Sequence, residues 1–174
     1  NVSVFDTDKG AVRKINDVLD NARNSLPVLS DAPLPEEGLL TFADTVQEAV
    51  EGAVWIQESV PERLENKHEV FAHIQSLCAP DAIIASSTSG FKPSALRAGV
   101  GCPEQIIVAH PYNPVYLLPV VEIVGGDDDA DGSVVHHAAE LLSAIGMKPV
   151  ILAREIDAHI GDRLLEAAWR EALW

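Results

Sequence analysis

A histidine and a glutamate twelve residues apart are the residues of this chain best suited to acid–base chemistry. His110 opens the segment His-Pro-Tyr-Asn-Pro, and Glu122 follows the largely apolar stretch 115–121. Two strand-like segments would bring the side chains together as a general base and a carboxylate that orients it. The spacing therefore predicts a site that removes a proton from an alcohol.

A run of hydroxyl side chains precedes this pair. The segment 86–90 reads Ser-Ser-Thr-Ser-Gly and follows the apolar stretch 82–85, which we expect to form a strand. Sheets of α/β proteins bind their ligands at the carboxyl ends of strands, so these hydroxyls could line the same pocket. The alternative is a polar loop that caps the next helix.

An acidic residue also follows the first predicted strand, Val2–Phe5. Asp6 stands where dinucleotide-binding folds place a carboxylate that accepts hydrogen bonds from the adenosine ribose. Such an acid repels a 2′-phosphate and favours NAD over NADP. The alternative is a helix cap, which fits Asp6 and Asp8 equally well. The glycine-rich turn that should precede this acid is absent from the sequence.

Short apolar strands alternate with helical patterns along the chain, which predicts an α/β fold with a doubly wound, mostly parallel sheet. We expect one helix over 9–24 that ends before Pro27, a short helix opened by Asp44, and another from Pro61 to about Leu77. We place a domain boundary near Arg154. Residues 1–153 would form a domain without its first strand and glycine-rich turn, and 154–174 the first helix of a truncated helical domain.

Composition limits the class of partner. The 174 residues are 47% apolar, and no stretch approaches the roughly 18 apolar residues of a membrane span. The formal net charge of −15 argues against nucleic acid or an anionic membrane as a partner. Cys78 and Cys102 form no CxxC motif, so we expect free thiols in a reducing compartment, the cytoplasm.

Two motifs suggest a metal but do not fit one. The segment 127–132 begins like a calcium loop, yet Ala138 stands where the bidentate glutamate should be, so we interpret the segment as a solvated loop with a helix cap. The neighbours His136 and His137 would point about 100° apart on a helix, a poor geometry for a shared metal. We expect no metal site.

The segments Ser87-Thr88-Ser89, His110 to Pro114, and Glu122 resemble the signature of the L-3-hydroxyacyl-CoA dehydrogenase superfamily. The resemblance covers nearly the whole chain. It implies a Rossmann-like NAD domain followed by a helical dimerising domain, and therefore a homodimer through the second domain in the full-length protein.

The resemblance also implies roles for individual residues. His110 would take the proton of a 3-hydroxyl while hydride leaves for NAD, and Glu122 would orient the imidazole. Ser89 and Asn113 would contact the substrate oxygen and the nicotinamide side of the site. Three further positions match cofactor-binding residues of the family, and these are Asp6, Glu62 and Lys67.

Three segments, 56–67, 110–119 and 162–173, favour a branch of the superfamily that oxidises L-carnitine to 3-dehydrocarnitine. Asp162 and His159 replace an asparagine and a phenylalanine of the acyl-CoA members. The alternatives are a 3-hydroxyacyl-CoA dehydrogenase acting on 3-hydroxybutyryl-CoA, an L-gulonate 3-dehydrogenase, or a non-catalytic, crystallin-like protein that binds a dinucleotide.

Overall fold

The computed structural model describes residues 1–31, 33–127 and 132–174, and these residues form seven strands and six α-helices. Most of the calcium-like segment, residues 128–131, lies outside the described residues. The strands are β1 (Val2–Val4), β2 (Leu40–Phe42), β3 (Trp55–Glu58), β4 (Ile83–Ser86), β5 (Ile106–Pro111), β6 (Val120–Val124) and β7 (Lys148–Leu152). The helices are α1 (Ala11–Leu29), α2 (Val46–Val50), α3 (Leu64–Gln75), α4 (Pro93–Arg97), α5 (Ser133–Ala144) and α6 (Gly161–Leu173).

The strands form two sheets. β1 and β2 pair in parallel, and the larger sheet has the order β3-β4-β5-β6-β7. All neighbours in the larger sheet are parallel except β5 and β6, which are antiparallel. The predicted mostly parallel α/β sheet is therefore confirmed, and its one antiparallel step joins the strands that carry His110 and Glu122.

The sheet is covered on both faces, as a doubly wound fold requires. Successive residues of β4 and β5 alternate between two apolar clusters, which is why both strands are continuously apolar. On one face, Phe71 and Ile74 of α3 and Leu96 of α4 pack on the sheet. On the other face, Val135 and Leu142 of α5 do so.

The prediction that the first helix ends before Pro27 was wrong. Helix α1 starts later, after Gly10, and continues through Pro27 to Leu29. A proline in the last turn removes a single hydrogen bond, and Ser30 N still reaches the carbonyl of Leu26 at 3.1 Å. The exposed surface of this turn lets water satisfy the carbonyl that proline leaves free.

Two predicted helix starts were also displaced. Thr45, not Asp44, is the N-cap of α2, because its hydroxyl accepts from the backbone of Glu48. Pro61 lies before α3, whose N-cap is Arg63. A tight turn in which Arg63 N bonds to the Pro61 carbonyl bends the chain first, and this bend holds Glu62 in a loop.

Several smaller predictions can also be compared with the structure. Gly146, with a φ of 87°, follows the end of α5 and adopts the left-handed conformation that glycine favours there. Cys78 and Cys102 are free thiols, which confirms that prediction. Within the described ranges, no helix combines the length and the apolar character needed to cross a membrane.

Candidate active site

His110 and Glu122 lie directly opposite each other on neighbouring strands. The antiparallel register of β5 and β6 pairs the two residues, which places both side chains on the same face of the sheet. His110 Nδ1 is 3.0 Å from Glu122 Oε2. Because an ionised carboxylate only accepts hydrogen bonds, Nδ1 is the donor and Nε2 of the neutral imidazole keeps its lone pair.

Glu122 is a buried carboxylate with donors on both oxygens. Oε1 accepts from the backbone N–H groups of Ile160 at 2.8 Å and Gly161 at 3.0 Å, where α6 begins. Burial raises the pKa of Glu122, but the hydrogen bonds from His110 and the two N–H groups outweigh burial and hold the pKa below its ordinary value of 4.5. Glu122 is therefore ionised at neutral pH and able to stabilise a protonated His110.

The loop after β4 places one of its hydroxyls against the histidine. Ser89 Oγ is 3.2 Å from His110 Nε2. The alternative function of this loop, capping the next helix, is wrong: the N-cap of α4 is Lys92 and makes no side-chain cap. A continuous line of hydrogen bonds thus runs from Glu122 through His110 to Ser89. The Ser89 end of this line lies at the carboxyl edge of the sheet.

A buried ion pair borders the same loop and has no counterpart in the sequence predictions. Lys67 Nζ is 2.9 Å from Glu58 Oε1, and the two side chains are 1% and 0% exposed. Ser86 donates a hydrogen bond to Glu58 at 2.5 Å. Glu62 lies 3.4 Å from Lys67 and also accepts from the Thr88 hydroxyl. The predicted cofactor residues Glu62 and Lys67 are therefore in contact, but only the Glu62 carboxylate reaches the surface.

The structure does not bring Asp6 or Asn113 into hydrogen-bonding contact with the other predicted site residues among those described. Asp6 is exposed just after β1, and its Oδ1 accepts from Asp8 N at 2.7 Å. It does not cap α1, whose N-cap is Gly10. Asn113 is exposed in the loop after β5.

Two aromatic side chains that had been given no role flank the histidine. The ring centroid of Tyr112 is 5.8 Å from that of His110, and the ring centroid of His159 is 5.3 Å away. Burial lowers the pKa of His159. Burial and then the charge of Glu122 raise the pKa of Tyr112. Both side chains are therefore uncharged at neutral pH. Tyr112 lies just after β5, two residues beyond His110, so a period-two pattern could have suggested that the two side chains lie on one face. No local pattern marks His159.

Comparison with known proteins identifies the family. Residues 1–156 match the family described as 3-hydroxyacyl-CoA dehydrogenase, NAD binding domain, and the chain belongs to this family. The resemblance found in the sequence is confirmed, and the predicted cofactor, NAD, is that of the matching domain.

Curated relatives are similar over almost the whole chain. The chain is 56% identical over 173 residues to the L-carnitine dehydrogenase/betainyl-CoA thioesterase of Ruegeria pomeroyi, with 99% of this chain and 35% of the relative covered. It is 52% identical over 174 residues to the L-carnitine dehydrogenase of Mesorhizobium japonicum, with 99% and 48% covered. The chain thus spans between a third and a half of the length of these relatives.

Solved structures share the fold. An NAD+-dependent dismutase, 5-formyl-3-hydroxy-2-methylpyridine 4-carboxylic acid 5-dehydrogenase, superposes with a TM-score of 0.90 at 31% identity, covering 99% of this chain and 56% of its own. The 3-hydroxybutyryl-CoA dehydrogenase of Escherichia coli gives 0.81 at 26% identity, covering 97% and 37%.

The described residues fit a cofactor that carries ribose hydroxyls. Asp6 follows the parallel strand β1, and Glu62 follows the parallel strand β3. Asp6 is exposed, and the Glu62 side chain is 48% exposed. Carboxylates at such strand ends accept hydrogen bonds from ribose, so both can serve a dinucleotide.

We predict that replacing Glu122 by Gln destabilises the fold in a pH-dependent way. Because the pKa of Glu122 is lowered in the fold, its ionised form stabilises the protein fully above pH 4.5, and this contribution is lost as the pH falls through the lowered pKa. Near pH 7 we expect Glu122→Gln to lower the free energy of unfolding by roughly 1–3 kcal/mol. Urea unfolding of both proteins across this range measures the difference.

The matched control is Glu140→Gln, because the Glu140 side chain is 81% exposed. This variant should match the wild type at each pH. The contrary result is a free energy of unfolding of Glu122→Gln that differs from that of the wild type by the same amount from neutral to acidic pH. That result would contradict the assignment of the stabilisation to the ionised carboxylate.

Proposed function

We propose that this chain belongs to an NAD-dependent dehydrogenase that oxidises the secondary alcohol of a small 3-hydroxy acid. The hydrogen-bonded line from Glu122 through His110 to Ser89 carries this proposal. His110 Nε2, left with its lone pair, accepts the proton of the hydroxyl as the carbonyl forms. When bound, NAD accepts the hydride that leaves the same carbon, so the proton and the electron pair are both accounted for.

Glu122 supports this step without contacting the substrate. It fixes the tautomer of His110 and offsets the positive charge that the imidazole gains. Ser89, 3.2 Å from His110 Nε2, is placed to hydrogen-bond the reacting oxygen. We propose that Asn113 acts from the loop after β5 on the substrate oxygen and the nicotinamide side of the site.

The cofactor residues would act in two ways. Asp6 and Glu62 would accept hydrogen bonds from ribose hydroxyls of NAD. Lys67 is buried against Glu58, so we propose that it holds the Glu62 carboxylate in place instead of reaching the cofactor itself.

We propose L-carnitine as the substrate and 3-dehydrocarnitine as the product. Relatives named L-carnitine dehydrogenase share 42–56% identity with nearly all of this chain. Charge supports the same substrate, because Asp162 influences the pKa of Tyr112, whose ring lies beside that of His110. A carboxylate near the base suits a trimethylammonium group better than the phosphates of coenzyme A.

The second candidate is oxidation of a 3-hydroxyacyl-CoA, which the description of the matching domain family favours. L-Gulonate oxidation uses the same chemistry and differs only in the substrate. Binding of a dinucleotide without catalysis is the remaining alternative. Binding alone does not require a histidine that a buried carboxylate holds in one tautomer.

The experiment that tests this proposal is NADH formation by the complete natural protein. The panel is L-carnitine, D-carnitine, L-gulonate and L-3-hydroxybutyryl-CoA. We expect activity on L-carnitine alone, and we expect His110→Ala to lower kcat by roughly 10²- to 10⁴-fold with little change in NAD affinity, because only the base is lost.

His137→Ala is the matched control, since the His137 side chain lies on α5 and is 60% exposed. It should leave the rate unchanged. Oxidation of the CoA ester or of gulonate would keep the mechanism and reject the substrate. Full turnover in His110→Ala would reject His110 as the base, and NAD binding without turnover on any alcohol would favour the non-catalytic alternative.

Asp6 generates a separate prediction about cofactor choice. Asp6→Ala should weaken NAD binding and reduce discrimination against NADP, because the carboxylate would no longer repel a 2′-phosphate. Isothermal titration with both nucleotides measures this. Asp8→Ala is the control, since Asp8 accepts from Gly10 N and Lys14 beside α1. If Asp6→Ala and the wild type show the same preference between the two nucleotides, Asp6 only stabilises the turn in which it accepts from Asp8 N.

We also propose that residues 154–174 begin a second, helical domain through which the full-length protein forms a homodimer. No residue of α6 is buried, and its exposed apolar side chains need a partner surface. These side chains are Leu164, Leu165, Trp169 and Leu173, with Trp174 directly after the helix.

The free thiols of Cys78 and Cys102 support our further proposal that the protein works in the cytoplasm, where reducing conditions keep thiols unpaired.

A further inference from the structure

The turn that leads into α6 contains two residues in an unfavourable backbone conformation. Ala158 and His159 have φ values of 59° and 49°, in the left-handed region that residues other than glycine avoid. A residue held in this conformation is strained and persists only where surrounding contacts hold it. Contacts with the rest of the molecule must therefore hold the turn in this conformation.

The turn forms a binding site for one carboxylate oxygen. After the left-handed His159, the backbone of Ile160 returns to the right-handed region, with φ −85° and ψ −46°. This alternation makes successive N–H groups converge on a concave site that favours an anion. The anion here is Glu122 Oε1, which accepts from Ile160 at 2.8 Å and Gly161 at 3.0 Å.

The side chain of His159 anchors this turn to the loop after β4. It is 0% exposed, and its Nε2 is 3.1 Å from the carbonyl oxygen of Thr88. Because a carbonyl only accepts, Nε2 carries the proton and Nδ1 has a lone pair. Within the described residues, that buried Nδ1 has no hydrogen-bond partner.

A buried acceptor without a partner lowers the stability of a fold. A phenylalanine would fill a similar volume without this cost, but it could not donate to Thr88. The imidazole at this position is therefore explained by its hydrogen bond to Thr88. That bond joins residues 71 apart in sequence and fixes the turn beside His110.

We propose that His159 is a positioning residue of the active site. Its hydrogen bond to Thr88 holds the left-handed turn whose N–H groups fix Glu122, and Glu122 in turn fixes His110. The catalytic consequence rests on the proposed dehydrogenase function, whereas the structural part does not. His159 does not contact the substrate or donate a proton in this scheme.

The charges around His159 suit this passive role. His110, Glu122 and Asp162 all influence it, and burial lowers its pKa. A protonated His159 would place a second positive charge 5.3 Å, between ring centroids, from a protonated His110. Among the described residues, His110 has a carboxylate partner and His159 has none, so our scheme gives the substrate proton to His110.

The test compares His159→Phe and His159→Gln in the complete natural protein. Phenylalanine keeps the bulk and removes the donor, whereas the glutamine amide can still donate to Thr88. Hydrogen exchange followed by mass spectrometry reports on the N–H groups of Ile160 and Gly161. Steady-state kinetics with L-carnitine and titration with NAD report on catalysis and cofactor binding.

We expect His159→Phe to speed exchange at 160–161 by at least about tenfold, while peptides from β4 and β5 stay protected. We also expect kcat to fall by about ten- to a hundredfold with KM and NAD affinity nearly unchanged, since a small misplacement of the base costs that much. His159→Gln should recover most of both effects. His137→Phe, the same substitution at an exposed position, should change neither.

Wild-type exchange at 160–161 in His159→Phe would overturn the proposal. So would faster exchange across the whole domain, because that result would make His159 an ordinary core residue. If the protein oxidises no alcohol on the panel, the proposed function fails, and exchange at 160–161 still decides whether His159 holds the turn.

Discussion

A single buried carboxylate, Glu122, holds together the parts of this molecule that its proposed chemistry needs. A charge in such a place is unfavourable unless donors surround it, and among the described residues one imidazole and two backbone N–H groups donate to Glu122. These donors come from β5 and from the start of α6. The same interaction that makes the buried charge tolerable therefore connects the sheet to the following helix and sets the orientation of His110.

The loop after β4 provides a second connection, between the residues proposed to bind the cofactor and His110, the proposed base. The Thr88 hydroxyl donates to Glu62, and its carbonyl oxygen accepts from His159. Behind Glu62 lies the buried pair of Glu58 and Lys67. The loop thus contacts Glu62, which we propose binds ribose, and also the turn that fixes Glu122. Rigid support of this kind is what a site needs to hold reacting groups in one geometry.

The parts that local patterns encode were predictable from the sequence. Strands buried on both faces are continuously apolar, and a twelve-residue spacing across two short strands suits a cross-strand pair such as His110 and Glu122. Contacts between distant segments were not predictable, because no periodic pattern marks which buried polar groups will meet. The Lys67–Glu58 pair and the contact between His159 and Thr88 are of this kind. The predictions based on Pro27 and Pro61 were wrong for a local reason. A proline can occupy the last turn of a helix, as Pro27 does, or the loop before a helix, as Pro61 does.

The tautomer of His110 tests the central claim most directly. Nitrogen-15 NMR of histidine side chains in the resting protein, with His110→Ala for assignment, shows which ring nitrogen of the neutral imidazole carries the proton. Donation to Glu122 predicts a protonated Nδ1 and a bare Nε2 for His110, and donation to Thr88 predicts the opposite tautomer for His159. Protonation of His110 at Nε2 would leave no lone pair toward Ser89 and the substrate, and it would contradict the proposed role of His110 as the base.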